Sequence, residues 1–183
     1  MTTLYLFPTA EEAVGLLSRR ADLREQVGII GVGMAEAAAG AARLIAQHKP
    51  SRVVLGGIAG SIDKGLIKRC DVVQVVRDRV AGLPERYGVD YLSCGIEGID
   101  HCVNSVTVSR TGEALQDEWV MDTLQLFIEQ MEGAAVAAVC REMGVKEYIH
   151  LRAISNYVDD ERSAWRIAEA VDALGERIAT LKL

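Results

Sequence analysis

Short apolar runs alternate with amphipathic helical stripes along almost the whole chain, and this alternation restricts the fold more than any other feature. Leu4 to Phe7 predicts a strand, and Pro8-Thr9 punctuates it before a helix from about Ala10 to Arg20. Val27 to Val32 predicts a second strand. After Gly33, Ala35, Ala38, Ala42 and Ile45 recur at the three-to-four spacing of a helix face. Arg52 to Leu55 predicts a third strand that enters a turn at Gly56-Gly57-Ile58-Ala59-Gly60. Asp71 to Val80, Val103 to Ser109 and Leu124 to Gln130 predict further strands. A helix over Glu132 to Met143 packs Ala135, Val136, Val139, Cys140 and Met143. Glu147 to Ile154 is the last predicted strand. The closing helix carries a stripe of Ala164, Ala168, Val171, Leu174, Ile178 and Leu181. The order implies an α/β protein: one domain over residues 1–183, three-layer αβα, with a mixed, largely parallel central sheet.

Composition limits the partners. The 183 residues are half hydrophobic but only 5% aromatic, so the core is aliphatic and Ala-packed. Twenty Lys and Arg against 26 Asp and Glu leave a net charge of −6, which argues against nucleic acid or an acidic membrane surface as partner. The opening Met1-Thr2-Thr3-Leu4 lacks a cationic stretch, and no uncharged apolar run of about 18 residues follows; a cytoplasmic location is expected. Cys70, Cys94, Cys102 and Cys140 form no C-x-x-C pair and have no His at ligand spacing. They are expected to be buried free thiols, and no metal site is expected. His150, inside an apolar strand, reads as a packed histidine.

Sheets of this kind bind ligands beyond the carboxyl ends of their strands. Gly31-Val32-Gly33 follows a strand, but Glu36 stands where a dinucleotide fingerprint needs its third glycine. Gly56 to Gly60 lacks the Lys-Ser/Thr of a phosphate loop. Gln130-Met131-Glu132-Gly133 puts a carboxylate at a helix start, which alone is commonplace. It gains weight from Leu151-Arg152-Ala153-Ile154-Ser155-Asn156-Tyr157-Val158 further on.

Together with the two upstream glycine motifs, this pair resembles the purine nucleoside phosphorylase and nucleosidase superfamily. The likeness runs in order from Leu4 to about Trp165. Within the superfamily, Ser155-Asn156-Tyr157-Val158 with Arg162 and Trp165 is most similar to the futalosine hydrolase branch. The resemblance implies hydrolysis of an N-ribosidic bond, with futalosine releasing hypoxanthine in a menaquinone pathway. A broader purine nucleosidase or phosphorylase, or a nucleoside-binding relative without activity, is the alternative. The implied partner is a small purine nucleoside, with no cofactor and with assembly into a homo-oligomer.

The resemblance also implies roles. Glu132 grips the ribose hydroxyls, with Met131 against the sugar and Gln130, Ile58, Ala59, Gly60, Ser155 and Tyr157 completing the substrate site. Glu12, adjacent to Glu11, activates water, and Arg152 orients Glu12. Asn156 stands where nucleosidases of 6-aminopurines carry Asp. An amide cannot surrender a proton but can donate and accept hydrogen bonds, which suits a 6-oxopurine. Asp159 and Asp160 read as solvated loop charges. Lys64 is the one cation near the glycine motifs, where Glu36 and Asp63 also lie, so water is favoured over phosphate as nucleophile. Two departures touch the pocket: Arg20 to Val27 leaves no room for the family's hairpin, and Gly112 to Gln130 is short. Glu113 lies where relatives often place an aromatic, and Tyr157 or Trp119 are the substitutes on offer.

Overall fold

The computed structural model describes residues 2–117, 120 and 126–182. Strand β1 (Thr3–Phe7) leads to helix α1 (Ala10–Arg19), and a short 3-10 turn at Ala21–Gln26 leads directly to β2 (Val27–Ile29). No hairpin intervenes. Then come α2 (Met34–His48), β3 (Arg52–Ser61), β4 (Val72–Val80), β5 (Tyr91–Leu92), β6 (His101–Thr107), β7 (Phe127–Gln130), α3 (Gly133–Glu142), β8 (Glu147–Tyr157) and α4 (Ile167–Thr180). The predicted strand from Leu124 begins among residues outside those described, as does Trp119.

Period-2 alternation in β1 sorts the core into layers. Leu4 and Leu6 pack with Ala37, Ala41, Leu44 and Ile45 of α2 and with Val136 and Cys140 of α3. Tyr5 and Phe7 face the other way, onto Leu16 of α1 and Leu174 and Ile178 of α4. Helices therefore cover both faces of this half of the sheet, as the alternation predicts. The helical stripes themselves are rotated from the predicted ones. Ala35 is exposed, and α2 buries Ala37, Ala41, Leu44 and Ile45. Ala164 and Ala168 are exposed while Ala170 and Gly175 are buried, and Met143 is exposed at the end of α3. Small alanines fit either face, so spacing alone does not fix the rotation.

The plain three-layer sheet is corrected in the other half. β3 pairs β7, β7 pairs β6, β6 pairs β4, β4 pairs β8, and β8 returns to β3: five strands close a barrel, with β1 and β2 extending from β3 and β5 from β4. Parallel and antiparallel pairs are mixed, with parallel pairs in the majority, as expected. Closure depends on two strands that outrun their predicted ends. β3 does not turn at Gly56 but continues to Ser61, and β8 continues past Ile154 to Tyr157. Their register shifts between Ala59 and Gly60, the irregularity that bends a strand pair out of an open sheet. Ala59, Val73, Val75, Val103, Ile128 and Ile154, drawn from all five barrel strands, fill the interior.

Two further expectations change. Among the cysteines only Cys140 is buried; Cys94 and Cys102 are exposed and Cys70 is half-buried, all as free thiols. Val27 to Val32 is shortened to Val27–Ile29 because Gly31 and Gly33 adopt φ of +92° and +83°.

Helices α1 and α4 cross at a pair of glycines. A Cβ on Gly175 would lie 2.0 Å from the Gly15 carbonyl carbon, a distance no side chain tolerates. Gly175→Ala is therefore expected to force the helices apart and destabilise the protein by about 1–3 kcal/mol or more, read as a lowered urea midpoint.

Candidate active site

The carboxyl ends of β1, β3, β7 and β8 surround one cleft of about 390 Å³. Of the residues singled out from the sequence, Glu12, Ile58, Ala59, Gly60, Gln130, Met131, Glu132, Arg152, Ser155 and Asn156 all line it. Tyr157 does not: its ring lies under the Arg69 guanidinium, whose carbon is 4.4 Å from the ring centroid. It offers no stacking face to the cleft.

Glu12 is positioned by a local signal. Thr9 caps α1, its hydroxyl accepting from the Glu12 amide at 3.2 Å and donating to Glu12 Oε2 at 3.0 Å. The Ile58 amide donates to Glu12 Oε1 at 2.9 Å. Glu12 is buried while Glu11 is exposed, which separates the two neighbouring carboxylates. Burial raises the Glu12 pKa against the opposing pull of the Ile58 amide and the Arg152 charge.

Arg152 is 1% exposed, the largest fully buried side chain among the described residues. Its Nε donates to His150 Nε2 at 2.9 Å and its Nη1 to the Ile58 carbonyl at 3.2 Å. Its Nη2 donates to Gln130 Oε1 at 2.9 Å and to Glu132 Oε2 at 3.2 Å. Arg152 forms its ion pair with Glu132. Its hydrogen-bonded link to Glu12 runs through Ile58, whose carbonyl accepts from the arginine and whose N–H donates to the carboxylate. Gly57 makes this possible, since a Cβ there would sit 2.3 Å from Arg152 Nη1 and 3.2 Å from Glu12 Oε1.

Glu132 is the N-cap of α3, one residue before the helix, and its side chain caps nothing. One oxygen takes Arg152 and the other accepts from the Gly33 amide at 3.0 Å, so the Gly31-Val32-Gly33 turn serves to hold a carboxylate. Gln130 is used differently from the expectation. Its Oε1 accepts from the amides of Glu132 and Gly133 at 2.8 and 2.6 Å as well as from Arg152. Its Nε2 contacts Asp78, Ser105 and Thr107. Both ends of the amide are thus committed to the protein.

Beneath the cleft this network runs into the barrel. Asp78 is 2% exposed, accepts from Thr107 Oγ1 at 2.9 Å and from Gln130 Nε2 at 3.0 Å, and has no partner for Oδ1. Burial pushes its pKa up to about 7. His150 is fully buried, as expected of a packed histidine, and burial drives its pKa well below the ordinary value.

Asn156 ends the series. Its Oδ1 accepts from Ser155 Oγ at 2.7 Å, and its Nδ2 donates to the Tyr157 carbonyl at 2.8 Å. One N–H and one lone pair of the amide remain for a ligand. Asp159 pairs with Lys64 at 2.5 Å and Asp160 with Arg69 at 2.7 Å, away from the cleft lining. Sequence reasoning missed Glu129 and Val108 in the lining, and Thr9 with its cap. The Thr-x-x-Glu spacing before α1 was available as a signal for the last. Among the described residues, no group of three or more His, Cys, Asp or Glu side chains could hold a metal. Nor is any helix there long and apolar enough to cross a membrane.

The fold and this cleft define a nucleoside phosphorylase-like architecture. The family model of the phosphorylase superfamily matches residues 97–182, in agreement with the resemblance carried by the motifs. A futalosine hydrolase mutant from Helicobacter pylori superposes with a TM-score of 0.80 at 16% identity, over 97% of each chain. A 5'-methylthioadenosine/S-adenosylhomocysteine nucleosidase from Neisseria meningitidis gives 0.78 at 18% identity, over 98% of this chain and 97% of that one. A 5'-methylthioadenosine nucleosidase from Arabidopsis thaliana gives 0.79 at 16%, over 96% and 92%. At these identities the likeness is one of fold. No curated protein sequence matches the chain significantly.

Asp78 makes the network sensitive to pH in a defined direction. Its folded pKa of about 7 lies above the ordinary 3.8, so between these values the folded state alone holds the proton. The contribution to stability is complete below about 4 and is lost as pH rises through about 7. Asp78→Asn is expected to reduce the fall in folding free energy between pH 5 and pH 8, measured by urea denaturation at both values.

Proposed function

We propose that the protein is a nucleosidase that hydrolyses the N-ribosidic bond of a purine nucleoside, a 6-oxopurine such as that of futalosine. The observation that carries this reading is the convergence of Glu12, Glu132 and Asn156 on one cleft. Such a reaction passes through an oxocarbenium-like sugar with a departing base. It needs a grip on the ribose, a base for water, and hydrogen bonds to the leaving group.

Glu132 supplies the grip. Arg152 and the Gly33 amide each engage one oxygen, and the remaining lone pairs accept from two vicinal hydroxyls. Arg152 holds that carboxylate in place. Glu12, turned into the cleft by its cap, accepts a proton from the attacking water. Its desolvation increases its basicity. Asn156 directs an amide N–H to O6 or N7 of the departing base. With Asn there is no proton to transfer, which suits hypoxanthine, a better leaving group than adenine without protonation.

Water is the nucleophile that the charges favour. Lys64 is engaged by Asp159, the Gly33 amide and Arg152 by Glu132, and Glu11, Glu12, Glu129 and Glu132 outnumber Arg152 and Arg162 in the cleft lining. An incoming phosphate would meet like charge.

Hypoxanthine release from futalosine and inosine, followed with and without phosphate, tests the reading. Release independent of phosphate is expected, and absence of release from both substrates would overturn it. Glu12→Gln is expected to lower kcat by about 10²–10⁴ with little change in KM. The acid limb of kcat in the native protein should lie above the ordinary carboxylate range, with activity rising as Glu12 ionises, and Glu12→Gln should remove that limb.

A further inference from the structure

A helix begins with N–H groups that have no partner inside the helix, and the N-cap side chain ordinarily accepts from the second or third of them. Glu132 is the N-cap of α3, yet its carboxylate caps nothing and engages Arg152 and the Gly33 amide instead. The barrel wall takes over the task. Gln130 Oε1 accepts from the Glu132 and Gly133 amides, and Thr107 Oγ1 accepts from the Ala134 amide at 2.9 Å. Ala134 is the second residue of α3, a position that a capping side chain at 132 would serve.

The strand register brings the substitute cap together. Thr107 of β6 pairs with Gln130 of β7, and Ser105 of β6 pairs with Asp78 of β4, so these side chains share one layer. Asp78 sets the polarity of that layer. Its Oδ2 accepts the single hydroxyl hydrogen of Thr107 at 2.9 Å, which leaves the Thr107 lone pairs for the Ala134 N–H and for Gln130 Nε2. The same oxygen accepts from Gln130 Nε2 at 3.0 Å, which turns Gln130 Oε1 toward the helix. Gly133 lets α3 come this close: a Cβ there would lie 2.3 Å from Asp78 Oδ2 and 2.8 Å from Gln130 Nε2. Asp78, Thr107 and Gln130 are all buried, so a partner lost there is not replaced by bulk water.

We propose that Thr107 and Asp78 are positioning residues for Glu132: by capping α3 in its place, they free its carboxylate for the sugar hydroxyls. The inference rests on the nucleosidase reading and adds the device that keeps the carboxylate available. Without the Thr107 hydroxyl, the Ala134 N–H is left buried and unsatisfied, and the Glu132 carboxylate is the acceptor that helix geometry offers it. A carboxylate turned back onto its own helix no longer accepts from two vicinal hydroxyls. The loss falls on recognition of the diol, and a substrate without the 2'-hydroxyl has less of that recognition to lose.

The experiment compares inosine and 2'-deoxyinosine as substrates for the native protein, Thr107→Val, which keeps the shape and removes the hydroxyl, and Thr107→Ser, which restores it. In Thr107→Val the inosine-to-deoxyinosine ratio of kcat/KM is expected to fall by about 10-fold or more. Thr107→Ser is expected to hold the ratio within about threefold of the native value. A merely structural role would lower both substrates together at a constant ratio, and that result overturns the proposal while leaving hypoxanthine release intact. A Thr107→Ser variant that behaves as Thr107→Val also overturns it. If Thr107→Val does not fold, Thr107→Ala takes its place, and equal cleavage of inosine and 2'-deoxyinosine by the native protein overturns the proposal outright. If the native protein cleaves neither nucleoside nor futalosine, the nucleosidase reading fails and this proposal with it.

Discussion

The Arg152 guanidinium holds the candidate site together. A buried cation without partners is costly, and one left unpaired by a substitution destabilises a protein by several kcal/mol. Arg152 meets that demand with His150, the Ile58 carbonyl, Gln130 and Glu132. Each of these partners has its own position in the fold: His150 on the same strand, Ile58 on β3, and Gln130 and Glu132 at the junction of β7 and α3. One side chain therefore fixes the relative placement of three barrel segments. Through the Ile58 peptide it also sets the position of Glu12 on α1, without touching that carboxylate.

The barrel explains why so polar a group can be buried there. Its interior is divided along the strands: an aliphatic layer of Val73, Val103, Ile128 and Ile154 lies beside a polar layer of Ser105, Thr107, Gln130 and Asp78. Within the polar layer, the hydroxyl of Thr107 accepts from the Ala134 amide and donates to Asp78. This network ties the start of α3 to the barrel wall. Networks of this kind rigidify when satisfied, and the Glu132 carboxylate benefits because its own backbone amide is one of the donors. Asp78 Oδ1 and His150 Nδ1 are buried there without a hydrogen-bond partner.

Much of this was legible in the residues. β1 reads as an unbroken apolar run from Leu4 to Phe7 because this half of the sheet is covered by helices on both faces. Glu12 and Glu132 were legible through the resemblance of the motifs around them, whereas the Thr9 cap that separates Glu12 from Glu11 was not read. Barrel closure was not. It depends on antiparallel pairing of β4 with the middle of β8, a contact between segments separated by a long stretch of chain, and no local pattern encodes it. The glycines of β3 mislead for a related reason. Gly56 and Gly57 look like a turn, but they are in a strand so that Phe7 and Arg152 can lie against the backbone. Glu129 was hidden because Phe127 to Gln130 is buried on both faces, which removes the contrast that normally marks a functional side chain.

The same closure accounts for the composition of the cleft. In an open parallel sheet, side chains at adjacent strand ends come from strands running the same way, and binding groups sit on the loops beyond. Here β3 runs antiparallel to β7 but parallel to β8, so the end of β3 is flanked by residues inside strands rather than by loop residues. Glu129 and Gly60 are consequently held by backbone pairing on both sides and Asn156 by its pairing with Gly60, so their spacing is set by the sheet itself. A carboxylate on a helix N-cap and side chains from strand interiors are both held on rigid elements. The segment after β6, latched to Glu129 through Gly112, is the part of the wall that can vary without disturbing either. Under the proposed function, the ribosidic bond would be oriented toward Glu12 by Glu132, whose place is set by Arg152 and the Gly33 amide.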